Sequence, residues 1–227
     1  MTRSGPGRMA RLGGLLGPLL LVPGVLLPAL AYTGKAGEAY SPLNHFISEL
    51  GEVGVSSLAW LFNGSLVVSG LLMAAFLLFL GRHVGTRLGW AAGIAGVVSG
   101  LGTSAVGLYP MNDLPPHLTA AFTFFDGGLV TVILFAVAIL RDRGRKLPRW
   151  LLVPAAATAL AFAAFLAWPY LTGAPDFRML DPLSGVPRTD VWGLAVTEWM
   201  VLVTIVGFIA CSAVALGRSL PSSTSRD

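Results

Sequence analysis

Charge is scarce in this 227-residue chain: 11% of its residues are charged and 55% hydrophobic. That is roughly half the charged fraction of an ordinary soluble domain. One cysteine, Cys211, leaves no disulfide framework and no cysteine-based metal motif. No Gly-x-x-x-x-Gly-Lys loop, His-Glu-x-x-His or Gly-x-Ser-x-Gly occurs, and no soluble stretch is long enough for a cofactor fold. The sequence therefore names no cofactor, and it leaves the oligomeric state open.

What the chain does have is long apolar runs. It is charge-free from Leu12 to Gly34, Val53 to Gly81, Leu88 to Asn112 and Trp150 to Pro175, while Leu114 to Leu140 and Val191 to Gly217 carry one acid each. Crossing the hydrocarbon core takes about 20 apolar residues as a helix. Each run suffices, so six spans are expected at about 12–33, 57–80, 88–109, 118–140, 150–171 and 192–216, with a short tail over 218–227. The runs are continuous and rich in Leu, Ala and Gly, which argues against a membrane barrel with its short alternating strands. The fold class is all-α, a polytopic membrane bundle whose first partner is the lipid bilayer.

The net charge of +4 would suggest nucleic acid in a soluble protein. Here the basic residues mark topology. Twelve Lys and Arg fall before span 1, in 81–87, in 141–149 and in the tail, against three in the alternate loops. The positive-inside rule then puts both termini in the cytoplasm of a multi-pass cell-membrane protein, with no nucleic-acid partner. Ala29-Leu30-Ala31 resembles a signal-peptide cleavage site. Cleavage would leave five spans, but the apolar stretch is longer than a signal core, which favours retention.

Polar residues gather in the outer loops, so any site is expected there. Residues 41–51 read as a short helix: Ser41 caps it, Pro42 suits its first turn and Gly51 its end. Leu43, Phe46, Ile47 and Leu50 would form an apolar face at the membrane interface, opposite Asn44, His45, Ser48, Glu49 and Glu52. His45 and Glu49 are four apart, a spacing that permits two ligands to one metal, although such a pair is more often an exposed ion pair. No metal site is assigned.

Ile47-Ser48-Glu49-Leu50-Gly51, Asn63 early in span 2, and Gly107-Leu108-Tyr109-Pro110 followed by His117 together resemble the prokaryotic membrane family catalogued as domain of unknown function 998. The resemblance implies six spans in this order over nearly the whole chain. It implies no activity, because none is established for the family. The family's acid in the last span corresponds to Glu198.

Asn63, Asp126 and Glu198 are polar residues within spans, each expected roughly 9 to 12 Å from an outer end. Were they to converge they would line a cavity, and Asp126 and Glu198 could share a proton. His117 and Asp126, nine apart, fall on opposite helix faces, whereas Thr119 and Asp126 share one. His117 belongs more naturally with Asn112, Asp113 and the polar face of the 41–51 segment. Span 3 carries Gly89, Gly93, Gly96, Gly100 and Gly107, a stripe expected to pack against another helix of the same chain rather than a second copy.

Three functions remain open. One is an outward-facing vestibule that binds a lipid headgroup, small solute or membrane partner, with Asn44, Asn63, Asn112, Asp126 and Glu198 as candidate contacts. A second is a membrane hydrolase using His45, Ser48, Glu49 or His117. The third is a small proton-coupled transporter using Asp126 and Glu198.

Overall fold

The computed structural model describes residues 5–219 apart from 143, 145, 174–176 and 181–183. Six helices account for most of it: α1 (Gly5–Leu30), α2 (Ala59–Val84), α3 (Arg87–Leu108), α4 (Leu114–Arg141), α5 (Leu152–Thr172) and α6 (Gly193–Ser219). All six are long and apolar enough to cross a membrane. Residues 220–227 of the expected tail lie outside the described residues.

Each helix packs on its neighbours in sequence, and α1 closes against α6, so the helices form a ring. Short connections enforce this order, because only two residues separate α2 from α3 and five separate α3 from α4. α3 packs closely on α2. A Cβ on Gly100 would lie 2.7 Å from both the Ala74 Cβ and the Gly70 carbonyl oxygen. The glycine stripe thus faces α2, as expected, and the backbones approach through it. On the other flank of α3, a Cβ on Gly102 would meet the Phe124 amide nitrogen at 2.6 Å, which sets α4 equally close.

α1 forms a wall of the ring and buries Leu21 and Val25 in the common core with Phe62, Phe76, Phe135, Phe162 and Phe208. The Ser69 hydroxyl donates to the Gly17 carbonyl at 3.0 Å and ties α2 to α1. At the basic end, Lys146 Nζ donates to the Val84 carbonyl at 2.9 Å, satisfying a free acceptor at the end of α2. The opposite end carries the α1–α2, α3–α4 and α5–α6 connections and is called the α1–α2 end below.

The helix expected over 41–51 forms only in its second half, as a 3-10 helix from Ile47 to Gly51. A turn covers 42–44, and Phe46 is extended at φ −65°, ψ 147°. The groups that would continue a helix through this point are engaged elsewhere. The Phe46 N–H donates to Glu49 Oε1 at 2.8 Å and the Ile47 N–H to Glu198 Oε2 at 2.7 Å, while the Leu43 carbonyl accepts the Trp192 N–H at 2.8 Å. Leu43 is accordingly exposed, and the polar His45 and Glu49 are buried rather than turned to solvent.

Candidate functional site

Two regions at the α1–α2 end gather the chain's polar side chains, one on each side of the 44–49 segment. The first is an open cavity of about 520 Å³ whose wall includes Tyr32, Lys35, Glu38, His45, Glu49 and Arg188. Glu49 and Arg188 are its keystone. Arg188 Nη1 donates to Glu49 Oε1 at 3.0 Å and Nη2 to Oε2 at 2.8 Å, a two-pronged pair of the kind that fixes both planes. Arg188 Nη1 also donates to the Asn44 carbonyl at 2.8 Å, and the Asn44 amide donates to the Thr189 carbonyl at 2.9 Å. These bonds clamp the α1–α2 loop to the α5–α6 loop. Burial opposes the charge on Arg188, but the hydrogen bonds and charge of Glu49 outweigh it and raise its pKa.

His45 packs in an aromatic nest, 5.6 Å from Tyr32 and 5.2 Å from Tyr40 between ring centres. Tyr40 is held in turn by the Trp199 Nε1–H at 3.0 Å. Burial drives the tyrosine hydroxyls upward in pKa. His45 Nδ1 lies 2.8 Å from Asn44 Oδ1, while Nε2 stands 3.7 Å from Glu38 Oε1, too far for a hydrogen bond. Burial pushes the imidazole below its ordinary value of 6.5, against the pull of the Glu49 and Glu38 carboxylates. The folded ring therefore binds its proton less readily than the unfolded one, and folding loses stability as pH falls through about 6.5. Thermal unfolding midpoints at pH 8 and pH 5 should differ more in the parent chain than in His45→Gln. Equal differences would remove His45 from the pH response.

The cavity's charges do not balance. Lys35 Nζ sits 2.6 Å from Glu52 Oε1 and Arg188 pairs with Glu49, which leaves Glu38, 3.7 Å from His45 Nε2, as the acid of the wall without a Lys or Arg partner among the described residues. Its carboxylate accepts the Ala36 N–H at 2.9 Å. Although burial opposes its charge, this and a second backbone hydrogen bond, with the nearby His45, hold Glu38 below the usual carboxylate range.

The second region lies inside the ring, where an apolar cavity of about 240 Å³ between α4, α5 and α6 adjoins a narrower one of about 90 Å³ reaching between α1, α2 and α3. Ser48, His117, Ala121, Phe125 and Glu198 line both. The Ser48 hydroxyl donates to Met111 Sδ at 3.0 Å. His117 Nδ1 is 2.8 Å from the Tyr109 carbonyl oxygen, which can only accept, so Nδ1 carries the proton. Glu198 is surrounded by the helices, and the surface it keeps faces these cavities.

Asn63, Asp126 and Glu198 do not converge on one cavity. Asn63 Nδ2 donates to the Gly51 carbonyl at 2.9 Å and holds the end of the 3-10 helix. Asn112 exchanges two hydrogen bonds with the Val53 backbone, at 2.8 and 2.9 Å, and serves as a loop staple. Asp126 is exposed on the flank of α4, lines neither region, and shares its face with Thr119 as the spacing implied. α4 begins at Leu114, so Asp126 lies about 18 Å from its start and about 22 Å from Arg141, near mid-helix rather than 9 to 12 Å in. An acid on that flank costs about 3 kcal/mol at mid-membrane. Asp126→Leu is expected to raise the unfolding temperature of the purified protein without touching either cavity. A fall would mean that the acid has a partner in the membrane.

His117 joins Ser48, as proposed from sequence, but not Asn112 or the Glu49 side. His45 and Glu49 do not share a metal geometry, because both Glu49 oxygens are taken by Arg188. Among the described residues no three His, Cys, Asp or Glu side chains gather as metal ligands. Sequence reasoning missed Lys35, Glu38, Tyr32 and Tyr40, which are loop or near-loop residues without periodic pattern. Trp192 is buried, with its ring centre 4.5 Å from that of Phe46.

Fold and site together define the class: an all-α integral membrane protein, a closed ring of six helices with a charged cavity at one end and an apolar one beneath it. More particularly, the chain belongs to the family described as Protein of unknown function (DUF998), whose model matches residues 15–215. No curated protein and no solved structure matches the chain.

Proposed function

We propose that the chain is a cell-membrane binding protein, both termini cytoplasmic, whose outward-facing vestibule holds the headgroup of a lipid or a small solute of like chemistry. The observation that carries this is the 520 Å³ cavity whose wall is built from paired charges with one acid, Glu38, left over. Paired charges shape and rigidify a site, while an unmatched carboxylate selects for an amine-bearing group. The excess of Lys and Arg at the opposite end supports the outward orientation.

The test is retention of lipid by the purified protein from nanodiscs of equal phosphatidylethanolamine and phosphatidylglycerol, read by native mass spectrometry. Phosphatidylethanolamine should be retained about fivefold over phosphatidylglycerol, the scale of one partly solvated ion pair. Glu38→Gln should erase the preference. Soluble glycerophosphoethanolamine as competitor separates headgroup binding from binding of the whole lipid. Equal retention of both lipids, unchanged by Glu38→Gln, sinks the reading.

A hydrolytic reading draws support from the shared cavity of Ser48 and His117, with Glu198 beside them. It is countered by the Ser48 proton pointing to Met111 and the His45 and Glu49 groups lying on the other side of the segment. The transporter reading loses its titrating pair, since Asp126 and Glu198 face different surroundings.

A further inference from the structure

The apolar cavity behind the 44–49 segment is not part of the vestibule, and its polar atoms have a common character. Glu198 Oε2 already accepts the Ile47 N–H, and among the described residues the carboxylate makes no other hydrogen bond. His117 donates through Nδ1, so its Nε2 lone pair is the atom left to offer. Ser48 spends its proton on Met111 Sδ, so its oxygen too can only accept. Three acceptors, one of them a carboxylate, thus line the larger cavity, whose other walls are Leu, Phe, Met, Ala and Pro, and among the described residues no Lys or Arg lines it. A carboxylate so placed is costly without a cation.

We propose that this cavity binds a lipophilic primary amine, a single alkyl chain ending in an ammonium group. The three N–H bonds of an ammonium match the three acceptors, and its charge matches Glu198. Charge balance does not depend on where the proton starts: a neutral amine meeting a protonated Glu198, or an ammonium meeting a carboxylate, yields the same ion pair. The chain extends among Phe125, Phe165, Leu166 and Leu118. Entry is from the bilayer between α4 and α5, because Phe122, on the α4 flank, is the exposed member of the larger cavity's lining. A carboxylic acid of the same length is repelled by Glu198, and an alcohol satisfies at most one acceptor with its single proton.

The experiment uses the full chain in nanodiscs of neutral lipid and a diazirine-tagged dodecylamine, with labelled peptides mapped by mass spectrometry. Labelling should fall on the Leu118–Phe125 and Leu194–Leu202 stretches, and free dodecylamine should compete at least about tenfold better than dodecanol or dodecanoic acid, the scale of a buried charged hydrogen bond. Glu198→Gln keeps the acceptor for Ile47 and should abolish the preference for amine over alcohol. Ala121→Trp fills the space shared by both cavities and should abolish labelling itself. Glu38→Gln, which alters only the vestibule, should leave labelling intact, so the two readings can fail separately. Equal competition by alcohol and amine, or undiminished labelling of Ala121→Trp, overturns the proposal.

Discussion

Arg188→Met is expected to destabilise the folded chain by about 3 kcal/mol and to weaken headgroup retention at least tenfold. The reason is the state in which it leaves Glu49. That side chain is only 4% exposed and accepts both prongs of the guanidinium. Removing one member of a buried pair strands the other charge, at a cost of about 3–5 kcal/mol when burial is complete. Arg188 itself is 17% exposed, which places the loss at the lower end of that range. The double variant Glu49→Leu with Arg188→Met removes both charges and should recover to within about 1 kcal/mol of the parent, since a buried pair gains little over well-packed apolar groups. A double-mutant cycle on denaturant midpoints in detergent measures the difference. If the double variant is as unstable as the single, the pair is not what holds these loops together, and the Asn44 side-chain bond to the Thr189 carbonyl and the Trp192–Leu43 backbone bond carry the clamp.

Gly100→Val should be at least as damaging, by about 3 kcal/mol or more, and by a different route. The first atom added would sit 2.7 Å from the Gly70 carbonyl oxygen and 2.9 Å from the Ala74 amide nitrogen. Those are backbone atoms of α2 and cannot swing aside as a side chain would, so the helices must separate and lose contact along the stripe. Gly64→Ala on α2 is the control. Nothing lies within 4 Å of its added carbon, and the change should be neutral or stabilise by up to about 1 kcal/mol through helix propensity. Thermal unfolding and size-exclusion profiles report both. If Gly100→Val instead halves the particle mass while leaving the unfolding temperature unchanged, the stripe serves a second copy and not α2.

The helices themselves were legible because the property that makes them is local. Twenty apolar residues in a row must satisfy their backbone within the segment whatever surrounds them. The glycine stripe on α3 was legible for a related reason, as small residues at helical spacing mark where another backbone comes close. The opposition of His117 and Asp126 on α4 also followed from nine residues of helix. The exposure of Asp126 was not legible: Gly127 and Gly128 beside it pack on Ser99 and Phe162, contacts with other helices that turn Asp126 outward.

The site was another matter. Glu49 meets Arg188 across 139 positions, and nothing in either neighbourhood announces the other. The helical reading of 41–51 failed because propensity could not know that Glu198, 151 positions away, would take the Ile47 N–H, or that Trp192 would take the Leu43 carbonyl. The sequence by itself determined the membrane spans, their order and the end at which polar groups collect, because hydration of apolar and charged groups acts residue by residue. Only closure of the ring decided which loop charges pair, which remain unmatched and which acid faces the interior, because those energies exist only between groups that the fold brings within a few ångströms.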